Sequence, residues 1–256
     1  MILKGRGAIV TGGGSGIGAA LARRFAGLGA HVAIIDRDTD AAKSVAEEIA
    51  GLALPGDVSD PDVMPMLTAI AEERFGRLDL VVLNAGVSGK QSGVETLDVD
   101  AYRSLVGVNV DHVVYGLSAA VPLLRKHGGG TVLATASLAG LLPMPTNPLY
   151  TLTKHAVVGY VRAAGARLAD EGIRVCGLCP GFVDTPLIAH KRDQFGDFPL
   201  LTTDDVVAAV DSILDRGQSG EVWFVQPGRE SAPYGFRGVP GPAGGVSPPK
   251  MAWTER

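Results

Sequence analysis

The sequence predicts an α/β fold: a single-domain, doubly wound, seven-stranded parallel sheet with helices on both faces. Three observations carry that expectation. Apolar runs of strand length alternate with helix-periodic stretches across short connections, the order that a parallel sheet covered on both faces requires. The first such run, Ala8-Ile9-Val10, passes through the glycine-rich stretch Thr11 to Gly18 into a periodic segment with Ile17, Leu21, Phe25 and Leu28. With 256 residues, 46% of them hydrophobic, the chain can also bury one large core.

The opening unit is strand, glycine loop and helix. Bare backbone N–H groups at the start of that helix carry partial positive charge and favour a phosphate. Gly12, Gly16 and Gly18, with Ser15 and Ile17 between them, give a loop that reaches positive φ and lets a pyrophosphate approach the backbone. A glycine-rich turn alone is weak evidence. Eighteen residues beyond Gly18, however, the second apolar run, Val32 to Ile35, ends at Asp36. A parallel strand there would set a carboxylate against the two hydroxyls of an adenosine ribose, which makes the unit Rossmann-like. Because a carboxylate accepts hydrogen bonds from a 2′,3′-diol and repels a 2′-phosphate, Asp36 points to NAD rather than NADP. Arg37 points the other way, since a guanidinium beside the ribose can hold that phosphate.

The remaining elements follow in order. Asp38 and Thr39 can cap a helix running to about Gly51; a strand near Leu52 to Leu54 and a turn at Gly56-Asp57-Val58 come next. Asp60 and Pro61 suit a helix start, and that helix should end near Gly76. A strand over Leu78 to Leu83 stops at Asn84-Ala85-Gly86. A helix from about Asp98 through Arg125 carries Asn109 in its middle, and Thr131 to Ala136 forms the fifth strand. Leu149 to Glu171 is the longest amphipathic stretch, followed by a strand at Ile173 to Leu178, a helix at Asp204 to Asp215 and a last strand at Glu221 to Val225. From Pro227 onward glycine and proline leave no room for persistent helix or strand. Tyr234, Phe236 and Trp253 within that tail suggest an ordered arm packed on its own or a neighbouring subunit. The division expected is a domain over 1–228, with a substrate loop at 186–202, and an arm over 229–256.

Several function classes are set aside by composition. A formal charge of −4 without a basic run gives no footprint for nucleic acid. No apolar run reaches the roughly 18 residues needed to span a bilayer. The first strand starts too early to leave space for a secretory signal, so a cytoplasmic location is expected. Cys176 and Cys179 form a C-x-x-C, but on a strand they point to opposite faces, and the histidines are scattered. Buried free thiols and no metal site are expected.

The chemistry sits after the fifth strand. Ser137 ends that strand, and Tyr150 follows with twelve residues between them. Tyr150 and Lys154 stand i, i+4 on one helix, so phenol and ammonium share a face. Such a pair is commonly just a solvated face, but this one starts a helix at the carboxyl edge of the sheet, where open α/β folds bind ligands. A phenol with a pKa of about 10 is a poor base at neutral pH. A cation about 4 Å away is worth up to ~4 kcal/mol to the phenolate at moderate dielectric, enough for two or three pKa units. A positive nicotinamide would push the same way.

Together, Thr11-Gly12-x-x-x-Gly16-Ile17-Gly18, Asn84-Ala85-Gly86, Asn109, Ser137, Tyr150-x-x-x-Lys154 and Pro180-Gly181-x-Val183-x-Thr185 resemble the short-chain dehydrogenase/reductase family in its compact one-domain form, over roughly residues 5 to 228. The resemblance implies an oxidoreductase that moves a hydride between a secondary alcohol or ketone and NAD(H). It implies Tyr150 as general acid/base, Ser137 as donor to the substrate oxygen, and Lys154 as holder of the nicotinamide ribose and depressor of the Tyr150 pKa. Asn109 would position a water that relays the proton. Asp57 and Val58 would meet the adenine, Asn84 to Gly86 the ribose side, and Val183 and Thr185, after Pro180 and Gly181, the carboxamide.

Ala136 stands where that family often has a second serine. Around the expected pocket, Leu138, Leu141, Leu142, Pro143, Met144, Phe182, Leu187 and Ile188 are apolar and suggest a lipophilic substrate, while Lys90, Lys191 and Arg192 can reach the rim. The alternatives are an NADPH-dependent carbonyl or 3-oxoacyl reductase of the same fold, and a non-catalytic dinucleotide-sensing protein. Apolar and small residues in excess of one buried face, including Ala156, Val157, Gly159, Val161, Ala163 and Ala164, suggest an interface, and the resemblance implies a homotetramer or homodimer.

Overall fold

A computed structural model of the protein describes residues 3–89 and 94–240. Its elements run β1 (Gly7–Thr11), α1 (Gly16–Gly27), β2 (His31–Asp36), α2 (Thr39–Glu48), β3 (Leu52–Pro55), α3 (Val63–Phe75), β4 (Leu80–Leu83), α4 (Val99–Val106), α5 (His112–Lys126), β5 (Gly130–Thr135), α6 (Pro148–Leu168), β6 (Ile173–Pro180), α7 (Thr203–Arg216), β7 (Val222–Val225) and β8 (Ala232–Pro233). One sheet holds all strands of the described residues in the order β3-β2-β1-β4-β5-β6-β7-β8. The first seven pair in parallel; β8 pairs antiparallel with β7.

The sheet is wound on both faces because its strands bury both sides. On β1, Ile9 packs with Met64 of α3, Leu117 of α5 and Val157 of α6, whereas Ala8 and Val10 pack with Leu21 of α1, Val45 of α2 and Val210 of α7. The same alternation places Cys179 in the first cluster and Cys176 in the second, so the two thiols are buried on opposite faces and unpaired. Strand order reverses between β1 and β4, and at such a switch point the crevice beyond the carboxyl ends of the strands is open to a ligand.

The helix starts are set by short polar side chains. Asp38 accepts from Ala41 N at 3.0 Å, Asp98 from Ala101 N at 3.0 Å, and Asn147 from Tyr150 N at 3.1 Å with Pro148 in the first turn. Thr202 and Asp205 close a reciprocal capping box on α7.

Four features differ from the sequence-based expectation. The helix predicted from Asp60 begins at Val63, because the Asp60 carboxylate accepts from Asp62 N at 2.9 Å and holds a turn that competes with the helix. The strand predicted from Leu78 begins at Leu80, because Asp79 is drawn to Arg6, Arg77 and Gly7 N. The long helix around Asn109 is continuous over Val99–Lys126 but widens into a π-helical turn at Gly107–Asp111. That span is long and apolar enough by composition to cross a membrane, yet Leu105, Val113, Leu117, Ala120 and Leu124 are buried in the molecule.

The fourth concerns the tail, which does contain a strand: Pro233 sits in β8 at the sheet edge, where its missing N–H costs nothing. Beyond it Tyr234 and Phe236 meet edge to face at 4.9 Å, and the Arg162 guanidinium of α6 lies 3.7 Å from the Phe236 ring centre. This part of the arm packs on its own subunit. Lys90 and Trp253 lie outside the described residues.

Candidate active site

The glycine loop is shaped by close approach. A Cβ on Gly18 would lie 2.1 Å from the Gly12 carbonyl oxygen, so only glycine lets α1 settle this near β1. Gly12, at φ +62°, would press a side chain to 2.9 Å from the Ala85 Cα, and so keeps the end of β1 open toward β4. Ser15 caps α1 without a side-chain bond and is exposed, which leaves its hydroxyl free for a ligand.

At the end of β2, Asp36 accepts from Gly14 N at 2.9 Å through one oxygen and from Asp38 N at 3.0 Å through the other. A carboxylate has about four acceptor sites, so capacity remains for a diol. Arg37 is exposed beside it. The Asp57 carboxyl is held below its usual range, chiefly by hydrogen bonds from Ser59 N and Oγ and to a smaller degree by the Arg37 charge.

The end of β4 is organised by Thr11. Its hydroxyl oxygen accepts from Asn84 N at 2.8 Å and Ala85 N at 3.1 Å, while Asn84 Nδ2 donates to Thr11 O at 3.1 Å and Thr135 Oγ1 donates to Asn84 Oδ1 at 3.1 Å. Behind Thr11 lies His112, fully buried, with Nε2 2.9 Å from the Thr11 hydroxyl and Nδ1 3.1 Å from the Val108 carbonyl. A ring nitrogen facing a carbonyl must carry the proton, so the neutral tautomer leaves Nε2 to accept from Thr11. Burial pushes His112 down to about 4, and the nearby Lys154 charge adds to the effect against the Val108 carbonyl.

Ser137 lies two residues beyond β5, where it caps the 3₁₀ turn Leu138–Gly140 and accepts from Ala139 N at 3.1 Å. Lys154 is buried and donates from Nζ to the Thr135 carbonyl at 2.9 Å, with Nζ 5.6 Å from the centre of the Tyr150 ring. Burial pushes Tyr150 up to about 12, against the opposing hydrogen bond of Ser137, and pushes Lys154 down to about 8. The phenol shift therefore runs opposite to the sequence-based expectation. Loss of water around a phenolate outweighs the help that its neighbours give.

Asn109 is held from both sides. Its side chain accepts from Val87 N at 2.9 Å and donates to Val87 O at 2.9 Å and Thr153 Oγ1 at 3.2 Å, and Thr153 in turn donates to the Tyr150 carbonyl at 2.8 Å. Both amide hydrogens are spent. The carboxamide ties the strand end after Gly86 to α6.

A cleft of about 770 Å³ gathers the other expected residues: Gly12, Ser15, Gly16, Ile17, Asp36, Arg37, Asp57, Val58, Asn84, Ala85, Gly86, Ser137, Tyr150, Lys154, Pro180, Gly181, Val183 and Thr185 all line it. Gly18 lies beneath it, as its packing role requires. Of the apolar set, Leu141 packs into the core instead. Lys191 reaches the rim, and Arg192 pairs with Asp184. Sequence reasoning missed His112, Phe195 and Phe198, whose only signal was an apolar helix position for the first and two aromatics in a variable loop for the others. Among the described residues no three metal-ligating side chains cluster.

Comparison with known proteins gives the same picture. A family model described as short chain dehydrogenase matches residues 6–195. Cyclohexanol dehydrogenase of Acinetobacter sp. (strain SE19) is 36% identical over 191 residues, 73% of this chain and 76% of that protein. The 3-ketoacyl-(acyl-carrier-protein) reductase from Brucella melitensis, solved with NADH, superposes with a TM-score of 0.81 at 33% identity, covering 89% of this chain and 99% of that one. A short chain dehydrogenase from Burkholderia cenocepacia J2315, solved with NADP, gives a TM-score of 0.81 at 30% identity with the same coverage.

Proposed function

The chain belongs to the short-chain dehydrogenase family, and from that premise we propose that it oxidises a lipophilic secondary alcohol to the ketone, or runs the reverse, with NAD(H). One observation carries the proposal: Ser137, just beyond β5, and Tyr150 and Lys154 of α6 line the same cleft as the glycine loop and Asp36. The residues fit a nicotinamide dinucleotide. The α1 start has bare amides and no Cβ in the way at Gly12, and Asp36 keeps acceptor capacity at the end of β2. When bound, the dinucleotide supplies the hydride acceptor or donor.

The chain's own residues do the rest. Tyr150 takes or gives the hydroxyl proton, Ser137 donates to the substrate oxygen, and Lys154 holds the nicotinamide ribose while its charge favours the phenolate. Asn109 is a positioning residue that fixes Val87 against α6. Leu138, Leu142, Met144 and Leu187 give the cleft an apolar wall, which supports a lipophilic substrate.

The second reading, an NADPH-dependent carbonyl or 3-oxoacyl reductase, is favoured by exposed Arg37 on the rim and by the likeness to the reductase of Brucella melitensis. The cofactor preference decides between them. With a panel of secondary alcohols followed by nicotinamide absorbance, kcat/KM with NAD⁺ should exceed that with NADP⁺ by at least about tenfold, one unfavourable charge contact at the ribose. Preference for NADP⁺ overturns the Asp36 argument, and a chain that binds the dinucleotide without turning over any alcohol or ketone would be the sensing protein instead. The enzyme works in the cytoplasm, in keeping with two unpaired thiols, as a homotetramer or homodimer.

A further inference from the structure

Three phenylalanines in the cleft take no part in the chemistry assigned above. Phe182 follows Pro180-Gly181 at the end of β6, Phe195 closes a 3₁₀ segment at Ala189–Phe195, and Phe198 lies three residues further on; all three line the cleft. Their ring centres form a triangle with sides of 4.8, 6.1 and 6.5 Å, and Phe182 meets both others edge to face. Despite this packing, Phe182 is 41% and Phe198 51% exposed. Aromatic surface held wet inside a concave site is surface that a ligand can dry.

The triangle is anchored. Leu201 N donates to the Phe182 carbonyl at 2.8 Å and Asp184 N donates to the Leu201 carbonyl at 2.8 Å, with Val183 and Leu201 paired as a parallel bridge. The loop thus leaves and returns at one fixed point beside Pro180 and Gly181, which holds the Phe182 backbone at the cleft.

Resting on the alcohol-oxidation reading, we infer that Phe182, Phe195 and Phe198 form an aromatic seat for the body of the substrate. The carbinol carbon of that substrate belongs to, or adjoins, an apolar six-membered ring. A ring set over a triangle of this size can make carbon–carbon contacts of about 3.5–4 Å with all three phenyl groups at once. A linear chain of equal carbon number covers the same surface only by freezing its internal rotors, a cost that a ring does not bear.

The test compares two pairs of equal carbon number, one member of each pair cyclic and the other open-chain. kcat/KM is measured for cyclohexanol and 2-hexanol with NAD⁺, and binding of cyclohexanone and 2-hexanone to the enzyme–NADH complex is followed by nicotinamide fluorescence. The proteins are the wild type, Phe198→Ala and Phe182→Leu; Phe198 is half exposed, so its truncation opens no core cavity. The wild type should favour the cyclic member by about tenfold or more in both readouts, and each variant should lose about tenfold for the cyclic member while the linear member moves less than about threefold. The KM for NAD⁺ should not move. Equal losses for both members, or a wild type that handles 2-hexanol as well as cyclohexanol, overturns the seat and leaves the alcohol-oxidation reading standing. A wild type that turns over neither alcohol, yet binds cyclohexanone in a phenylalanine-dependent way, upholds the seat and overturns that reading.

Discussion

A tyrosine and a lysine four residues apart share a helix face in the sequence, but what their protons do is decided by burial. In the folded chain the Tyr150 phenol is pushed up to about 12 and the Lys154 amine down to about 8, because both charged forms lose water. The i, i+4 spacing made the pair legible; the desolvation that opposes it comes from strands and loops far away in the chain. His112 shows the same limit. Its partner Thr11 lies 101 residues away, so nothing local marked it as the group that orders the ends of β1 and β4. The histidine carries a prediction for stability. Its folded pKa of about 4 lies below the ordinary 6.5, so only the unfolded chain binds a proton between those values. The contribution is intact above about pH 6.5 and is lost as pH falls toward 4, by about 3 kcal/mol at most. Denaturant titrations across that range should show the slope in the wild type and lose most of it in His112→Gln; identical slopes would place the imidazole in water.

Elements were legible where one periodicity or one cap dominates, as for Asp38 before α2 and the Thr202–Asp205 box before α7. They were misread where a side chain competes with the backbone, as Asp60 does before α3, or where the deciding partner is remote. The π-helical turn at Gly107–Asp111 belongs to the second kind: it places Asn109 toward Val87 and Thr153, and no spacing in the helix announces it. The strand β8 was hidden by its proline, which is tolerated only because it pairs at an edge. The glycines of α1 give an element-scale prediction. Gly18→Ala drives a methyl group against the Gly12 carbonyl and should cost about 1–3 kcal/mol by forcing helix and strand apart, with weakened dinucleotide binding. Gly27→Ala, on the same helix with open space around it, should leave stability unchanged or raise it by about 0.5 kcal/mol. Equal effects of the two, read from denaturant midpoints, would remove close packing as the reason for Gly18.

At the scale of the whole molecule, the sheet order and the position of the cleft follow from the alternation of elements, and the candidate site was legible as a set because its parts fall at strand ends and helix starts. The substrate wall was less so, since the loop carrying Phe195 and Phe198 has no periodicity to read. The outer face is also informative. Val157 and Val161 of α6 are spent on the core, but Leu152, Ala156, Gly159 and Ala163 stay exposed, as do Val99 of α4 and Val114 of α5. Burying this face against a second copy would explain it. Light scattering at micromolar concentration should return two or four times 26.4 kDa, and Leu152→Glu should lower that mass; a monomer would contradict the assembly. The central claim is that Tyr150 carries the proton, and Tyr150→Phe tests it most directly. The substitution keeps the ring and removes only the hydroxyl, so NAD⁺ binding by titration should stay within about threefold while turnover of the same alcohol falls by at least about a hundredfold. A variant that binds NAD⁺ normally and still turns over at near the wild-type rate would contradict it.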